Sequence, residues 1–134
     1  MNWYKTAKVD QTAKVDQTEI QALQKSLMER YPGIDLELWL SSNGYIELAV
    51  IEVPKDQQNK GIGNAIVSEV KTFAQSLGLP VVLRPSASYG KKQALERFYK
   101  NLDFVKNKGR NIDFELSSPV GPTMYWKPTQ EDQV

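Results

Sequence analysis

Neither cysteine nor histidine occurs anywhere in this 134-residue sequence. The first absence excludes disulfides, thiolate metal sites and thiol nucleophiles. The second removes the commonest zinc ligand and the commonest general base. No metal site is therefore expected, and any chemistry must rest on carboxylates, tyrosine, serine, lysine or backbone groups. Long apolar runs are missing too. No stretch approaches the roughly 18 apolar residues of a membrane span, and the N-terminus lacks the apolar segment of a secretory signal. No membrane partner is expected, and a cytoplasmic location follows by default. An excess of one charge is also lacking, with 17 Lys plus Arg against 16 Asp plus Glu. That balance argues against polyelectrolyte binding, so no nucleic-acid partner is expected. The length suits a single domain spanning 1–134, as a monomer or homodimer.

What is present begins with an exact tandem repeat, TAKVDQ at Thr6–Gln11 and again at Thr12–Gln17. Two copies of a six-residue unit cannot build a solenoid, so segment 1–17 reads as a local duplication. A helical pattern follows. Thr18 and Gln21 spell a capping box, and Ile20, Leu23, Leu27 and Met28 share one face, ending at Tyr31-Pro32-Gly33. The helix has room to begin earlier, inside the second repeat. The runs IDLELWL and YIELAVIEV, joined by SSNG, predict a β-hairpin. Ile62, Ile66, Val70, Phe73, Ala74 and Leu77 then mark an amphipathic helix with Gly78 as its C-cap. Leu79–Arg84 reads as a buried strand. Leu95, Phe98, Tyr99 and Leu102 mark another helix, starting after Ser88–Gly90. Asp103–Lys106, Phe114–Leu116 and Thr123–Trp126 read as short strands, and Thr129–Val134 as a frayed polar tail. A hairpin feeding a crossover helix and then a parallel strand makes the sheet mixed, with helices on its faces.

Between the hairpin and the amphipathic helix lies QNKGIG, Gln58–Gly63. First-turn N–H groups have no intrahelical partner, and the helix dipole favours an anion there. Gly61 and Gly63 would let a phosphate approach the backbone, and Lys60 would add a charge. Two better-known phosphate motifs fail. The dinucleotide fingerprint needs a third glycine where Ile66 stands, and the Walker ending G-K-[ST] is absent. Locally, a phosphate cradle and a tight strand-to-helix turn remain equal readings.

Q-x-x-G-x-G behind the strand IELAVIEVP resembles the acetyl-coenzyme A motif of the Gcn5-related N-acetyltransferases (GNAT). The segment LERFYKNLDFV, Leu95–Val105, is similar to that family's second signature, a tyrosine on a helix followed shortly by Gly-Phe. The likeness runs from about Ile34 to Trp126. It implies an α/β (α+β) fold, a mixed sheet with splayed central strands flanked by helices. It also implies acetyl-coenzyme A as acetyl donor and a primary amine as acceptor, on a protein lysine, a protein N-terminus or a small molecule. Carried over residue by residue, Gln58, Asn59, Lys60, Gly61, Ile62, Gly63 and Asn64 form the pyrophosphate loop, and the backbone of Ile51 and Val53 meets the pantetheine arm. Two positions depart from the pattern. Asp103 stands where glycine is usual, which Asp can tolerate, and Lys92 stands where many members carry asparagine. The N-terminal half is also shorter than in larger members.

Without histidine or cysteine, direct attack by the amine is favoured over a covalent intermediate. Glu47 matches the base carboxylate of histone-acetylating members, and partial burial there would raise its pKa. The plain alternative is a solvent-face strand residue. Glu52 is the rival base, on the opposite parity from Glu47 unless a bulge intervenes. Tyr99 matches the family's tyrosine acid, against a plain role as a core aromatic. Lys91–Arg110 carries a net +5, suited to a ribose phosphate, an acidic partner or plain solvation. Trp39, Tyr45, Tyr89, Tyr125 and Trp126 are candidates to line an acceptor groove. A non-catalytic acyl-CoA-binding or protein-interaction module on the same fold is the other class of function.

Overall fold

A computed structural model describes residues 16–58, 60–85, 92–118 and 122–129. The repeat up to residue 15, Asn59, Ser88–Gly90 with Tyr89, and residues 130–134 lie outside that set. Helix α1 spans Gln17–Arg30. Its N-cap is Asp16 of the second repeat, whose carboxylate accepts from the N–H groups of Thr18 and Glu19. The Thr18 box is thus displaced by two residues. An ionised acceptor at the N-terminus adds dipole stabilisation that a hydroxyl lacks.

Strands β1 (Asp35–Leu40) and β2 (Ile46–Glu52) pair as the expected hairpin. The turn is closed by Ser41, whose N–H donates to Tyr45 and whose carbonyl accepts from Gly44. Gly44 takes φ +87°, which a side chain would strain. Helix α2 (Ile62–Leu77) crosses over to β3 (Val81–Leu83), and Gly78 caps it at φ +71°. Helix α3 (Lys92–Lys100), β4 (Val105–Lys106) and β5 (Met124–Trp126) complete the chain. The sheet order is β1-β2-β3-β5-β4, with β2 and β3 parallel and the other neighbours antiparallel.

Two readings of the C-terminal part change. Phe114–Leu116 is a 3-10 turn, because the Asp113 side chain caps the Glu115 N–H and the Ser117 N–H closes onto Phe114. A carboxylate at that position offers the backbone a local partner that a strand ladder would have to outcompete. Thr129 is fastened, since Gln75 on α2 donates to its carbonyl (3.0 Å) and accepts from its N–H (2.8 Å).

The three α-helices of the described residues feed one apolar cluster on one face of the sheet, including Ile20, Leu27, Leu36, Leu38, Ile46, Leu48, Ile66, Val70, Val81 and Tyr99. Each fully buried aliphatic there contributes about 1.5–3 kcal/mol. On the opposite face a smaller cluster joins Val82, Tyr125 and Leu116, with Tyr45 and Val105 against it. Along the outer edge of β1, α1 seals the strand: Gln24 accepts from the Leu38 N–H and Gln17 donates to the Leu40 carbonyl, both at 2.8 Å. Free strand edges otherwise invite pairing with other chains.

Candidate functional site

The site begins where the pairing of β2 with β3 ends. Their parallel register covers only Ile46–Leu48 against Val81–Leu83, while β2 continues to Glu52. Ala49–Glu52 thus extend past the end of β3. Ile51 lies in this overhang and Val53 just beyond its end, both half-buried, and their side chains pack against the main core.

After Val53 the chain makes a 3-10 turn at Lys55–Gln57, closed by Gln57 N–H donating to Pro54. The Gln58 side chain turns back to donate to the Val53 carbonyl at 2.9 Å, tying the loop to the end of the strand. Gln58 therefore shapes the loop. Lys60 and Asn64 are exposed, and Asn59 is outside the described residues. Gly61 is the N-cap of α2 at φ +78° and caps nothing with a side chain. The first intrahelical bond runs from Ala65 N–H to the Gly61 carbonyl. The N–H groups of Ile62, Gly63 and Asn64 are left as the uncapped donors of the first turn. The two glycines differ in role. Gly61 is required by its backbone angle, with open space around it. Gly63 is a packing position, where a Cβ would stand 3.4 Å from the Phe98 ring and 3.9 Å from Val53. Phe98 thus joins α3 to the α2 entry and to the strand end. A Leu95, Phe98, Leu102 stripe at helical spacing was its signal in the sequence.

Glu47 lies on β2 opposite Trp39 of β1 and beside Val82 of β3. It is half-buried, and the Arg84 guanidinium stands 3.8 Å from its carboxylate. Arg84 is the first residue beyond β3, and only the parallel register reveals that it meets Glu47. Parity needs correcting at Glu52. The register against β1 shifts between Glu37 and Leu38, leaving Ala49 as an extra residue in β2. This bulge puts Glu52, opposite Asp35, on the same face as Glu47. Val50, opposite Glu37, lies there as well.

Tyr99 is on α3, 5% exposed, edge-on to Phe98 (5.1 Å) and Phe104 (5.7 Å). Burial pushes its hydroxyl up to about 12. It belongs to the cluster on the helical face, whereas Glu47 shares a face with Val82. The two candidate catalytic residues are thus on opposite faces of the sheet. Asp103, in the glycine position, adopts φ +74°, and the Phe104 N–H closes the end of α3 onto the Tyr99 carbonyl. Of the aromatics considered for an acceptor groove, Tyr125 and Trp126 are buried, Tyr45 is half-buried and Trp39 is 42% exposed. In the basic segment, Lys106 is paired with Glu96 at 3.0 Å. A hollow of ≈ 360 Å³ lined by Ser68, Lys71, Thr72, Gln75 and Trp126 lies further along α2 and shares no residue with the site.

No family model and no curated protein matches the chain. Solved structures do. An acetyltransferase of the GNAT family from Staphylococcus aureus Mu50 superposes with a TM-score of 0.55 at 15% identity, over 93% of this chain and 87% of its own. Ard1 from Thermoplasma volcanium superposes with a TM-score of 0.50 at 16% identity, over 95% of each chain. The N-acetyltransferase YlbP of Bacillus subtilis, solved in complex with coenzyme A, gives 0.47 at 20% identity, over 96% of this chain and 92% of its own. The chain has the fold of the Gcn5-related N-acetyltransferases.

Proposed function

We propose that this protein is an N-acetyltransferase that transfers an acetyl group from acetyl-coenzyme A to a primary amine by direct attack. The observation that carries this reading is the unpaired end of β2, running on past β3 beside the uncapped entry of α2. The residues present fit such a donor. Uncapped N–H groups on Ile62, Gly63 and Asn64, reached past a Gly61 with open space around it, suit a pyrophosphate. Lys60 adds positive charge, and Ile51 and Val53 offer backbone groups to an extended arm.

Bound acetyl-coenzyme A supplies the activated acyl group: the amine nitrogen bonds to the thioester carbon, the C–S bond breaks and the thiol leaves. Glu47 takes the proton from the attacking nitrogen on the face it shares with Trp39. Glu52 shares that face but lies at the exposed end of β2, beyond Ile51, which favours Glu47. Tyr99, raised to about 12, stays neutral throughout the working pH range. Full proton transfer from it to a thiolate of ordinary pKa, about 8.5, is strongly uphill. Its part is to donate a hydrogen bond to the leaving sulfur from the helical side, the proton coming from solvent.

Thiol release over a panel of amines and lysine peptides tests the assignment. Glu47→Gln should lower kcat by about 100-fold or more. Tyr99→Phe should lower it by about tenfold, as loss of one hydrogen bond implies. Unchanged turnover in both variants would refute these roles. Arg84 beside Glu47 favours a second reading, a non-catalytic acyl-CoA-binding module, because it gives the carboxylate a structural partner. That reading predicts acetyl-coenzyme A binding with no thiol release for any amine.

A further inference from the structure

The described α-helices pack on one face of the sheet, and the loop carrying Leu116 covers the β3–β5–β4 half of the other. Neither apolar cluster takes in a side chain from the β1–β2 half of that second face. That floor displays Asp35, Glu37 and Trp39 from β1 and Glu47, Val50 and Glu52 from β2, brought into line by the bulge at Ala49. Trp39 is 42% exposed directly across from Glu47, although indole is a costly side chain to leave in water. Among the described residues, the only ion pair on this floor is that of Glu47 with Arg84. In a chain of net charge +1, the acidic residues here are segregated rather than interspersed.

We infer that this half-face docks the acceptor as an extended, lysine-rich polypeptide segment whose target lysine lies over Glu47. The inference rests on the N-acetyltransferase reading and names its substrate class. Two features select a polypeptide over a small amine. Asp35 and Glu37 are two residues apart on one strand, a separation of about 6–7 Å that matches alternate side chains of an extended peptide. A small amine over Glu47 would leave Asp35, Glu37 and Glu52 without a complementary charge. Trp39 provides an apolar and cation-attracting surface beside the target lysine. The incoming ammonium takes the place of the Arg84 guanidinium, which is half-exposed and 3.8 Å from the carboxylate.

The probes are a fluorescein-labelled Lys-Ala-Lys-Ala-Lys peptide, its counterpart with all but one terminal lysine replaced by alanine, and butylamine. Fluorescence anisotropy reads docking without any turnover. The three-lysine peptide should bind at least about tenfold tighter than the single-lysine peptide at low salt, with the difference shrinking at high salt. Asp35→Asn/Glu37→Gln should remove most of that preference, and Trp39→Ala should weaken binding of both peptides. In thiol release, the double variant should raise KM for the three-lysine peptide severalfold while leaving kcat and butylamine turnover unchanged. Equal binding of the two peptides, or a preference that survives the double variant, would overturn the inference. If the peptide docks as expected but no amine is acetylated, the docking surface stands and the N-acetyltransferase reading falls.

Discussion

Asp103 and Gly61 both hold left-handed backbone angles, φ +74° and +78°, for different reasons. Asp103 ends α3 where glycine is the cheaper residue. Its carboxylate meets Lys71 at 3.5 Å, and the same lysine donates to the Leu102 carbonyl at 2.6 Å, so the turn is held from α2. Gly61 has no such support and needs none, since glycine visits this region freely. Tyr99 is a residue whose chemistry the fold alters, because burial favours its neutral form. A hydroxyl raised from 10.0 to about 12 stabilises the fold fully below pH 10, and that contribution is lost as pH rises toward 12. Urea unfolding of wild type and Tyr99→Phe should therefore diverge above pH 10, with wild type losing on the order of 2 kcal/mol more by pH 12. Parallel profiles would show that the hydroxyl is not desolvated.

The elements were largely legible because their periods were. Ile62, Ile66, Val70 and Ala74 define α2 with little ambiguity, and the alternation of β1 matches its burial residue by residue. Misreadings arose where a single side chain captured the backbone. Asp16 took the capping role read at Thr18, with the helix starting inside the second repeat as the sequence allowed, and Asp113 turned Phe114–Leu116 into a 3-10 turn. Propensity could not foresee the bulge at Ala49 either, because it is a property of the β1–β2 pair. The edge of β1 shows an element protected by side chains of another. Gln24→Ala would leave the Leu38 N–H without its partner. We expect a loss of about 1–2 kcal/mol in urea unfolding and concentration-dependent self-association by light scattering. A stable, monomeric variant would show that the glutamine is dispensable.

At the scale of the whole molecule, the site is a product of topology. The glycine loop could be read in sequence because its residues are contiguous and its neighbours spell a strand and a helix. The relation between Glu47 and Tyr99 could not, since whether they share a face depends on β2 register and on the side to which α3 crosses. The same holds for Arg84, which reaches Glu47 only through the parallel pairing of β2 with β3. What the fold provides is a β2 that runs on past the end of β3, uncapped donors beside it, a carboxylate on one face and a buried hydroxyl on the other. The central claim is that this site holds acetyl-coenzyme A. Isothermal titration of wild type and Gly61→Ala with acetyl-coenzyme A, using NAD as control, tests it most directly. The account predicts one acetyl-coenzyme A per chain and no NAD for wild type. It predicts binding weakened by at least about tenfold in the variant, since alanine at that φ costs about 1–2 kcal/mol and disturbs the cradle. No binding by wild type, or equal binding by both proteins, would contradict it.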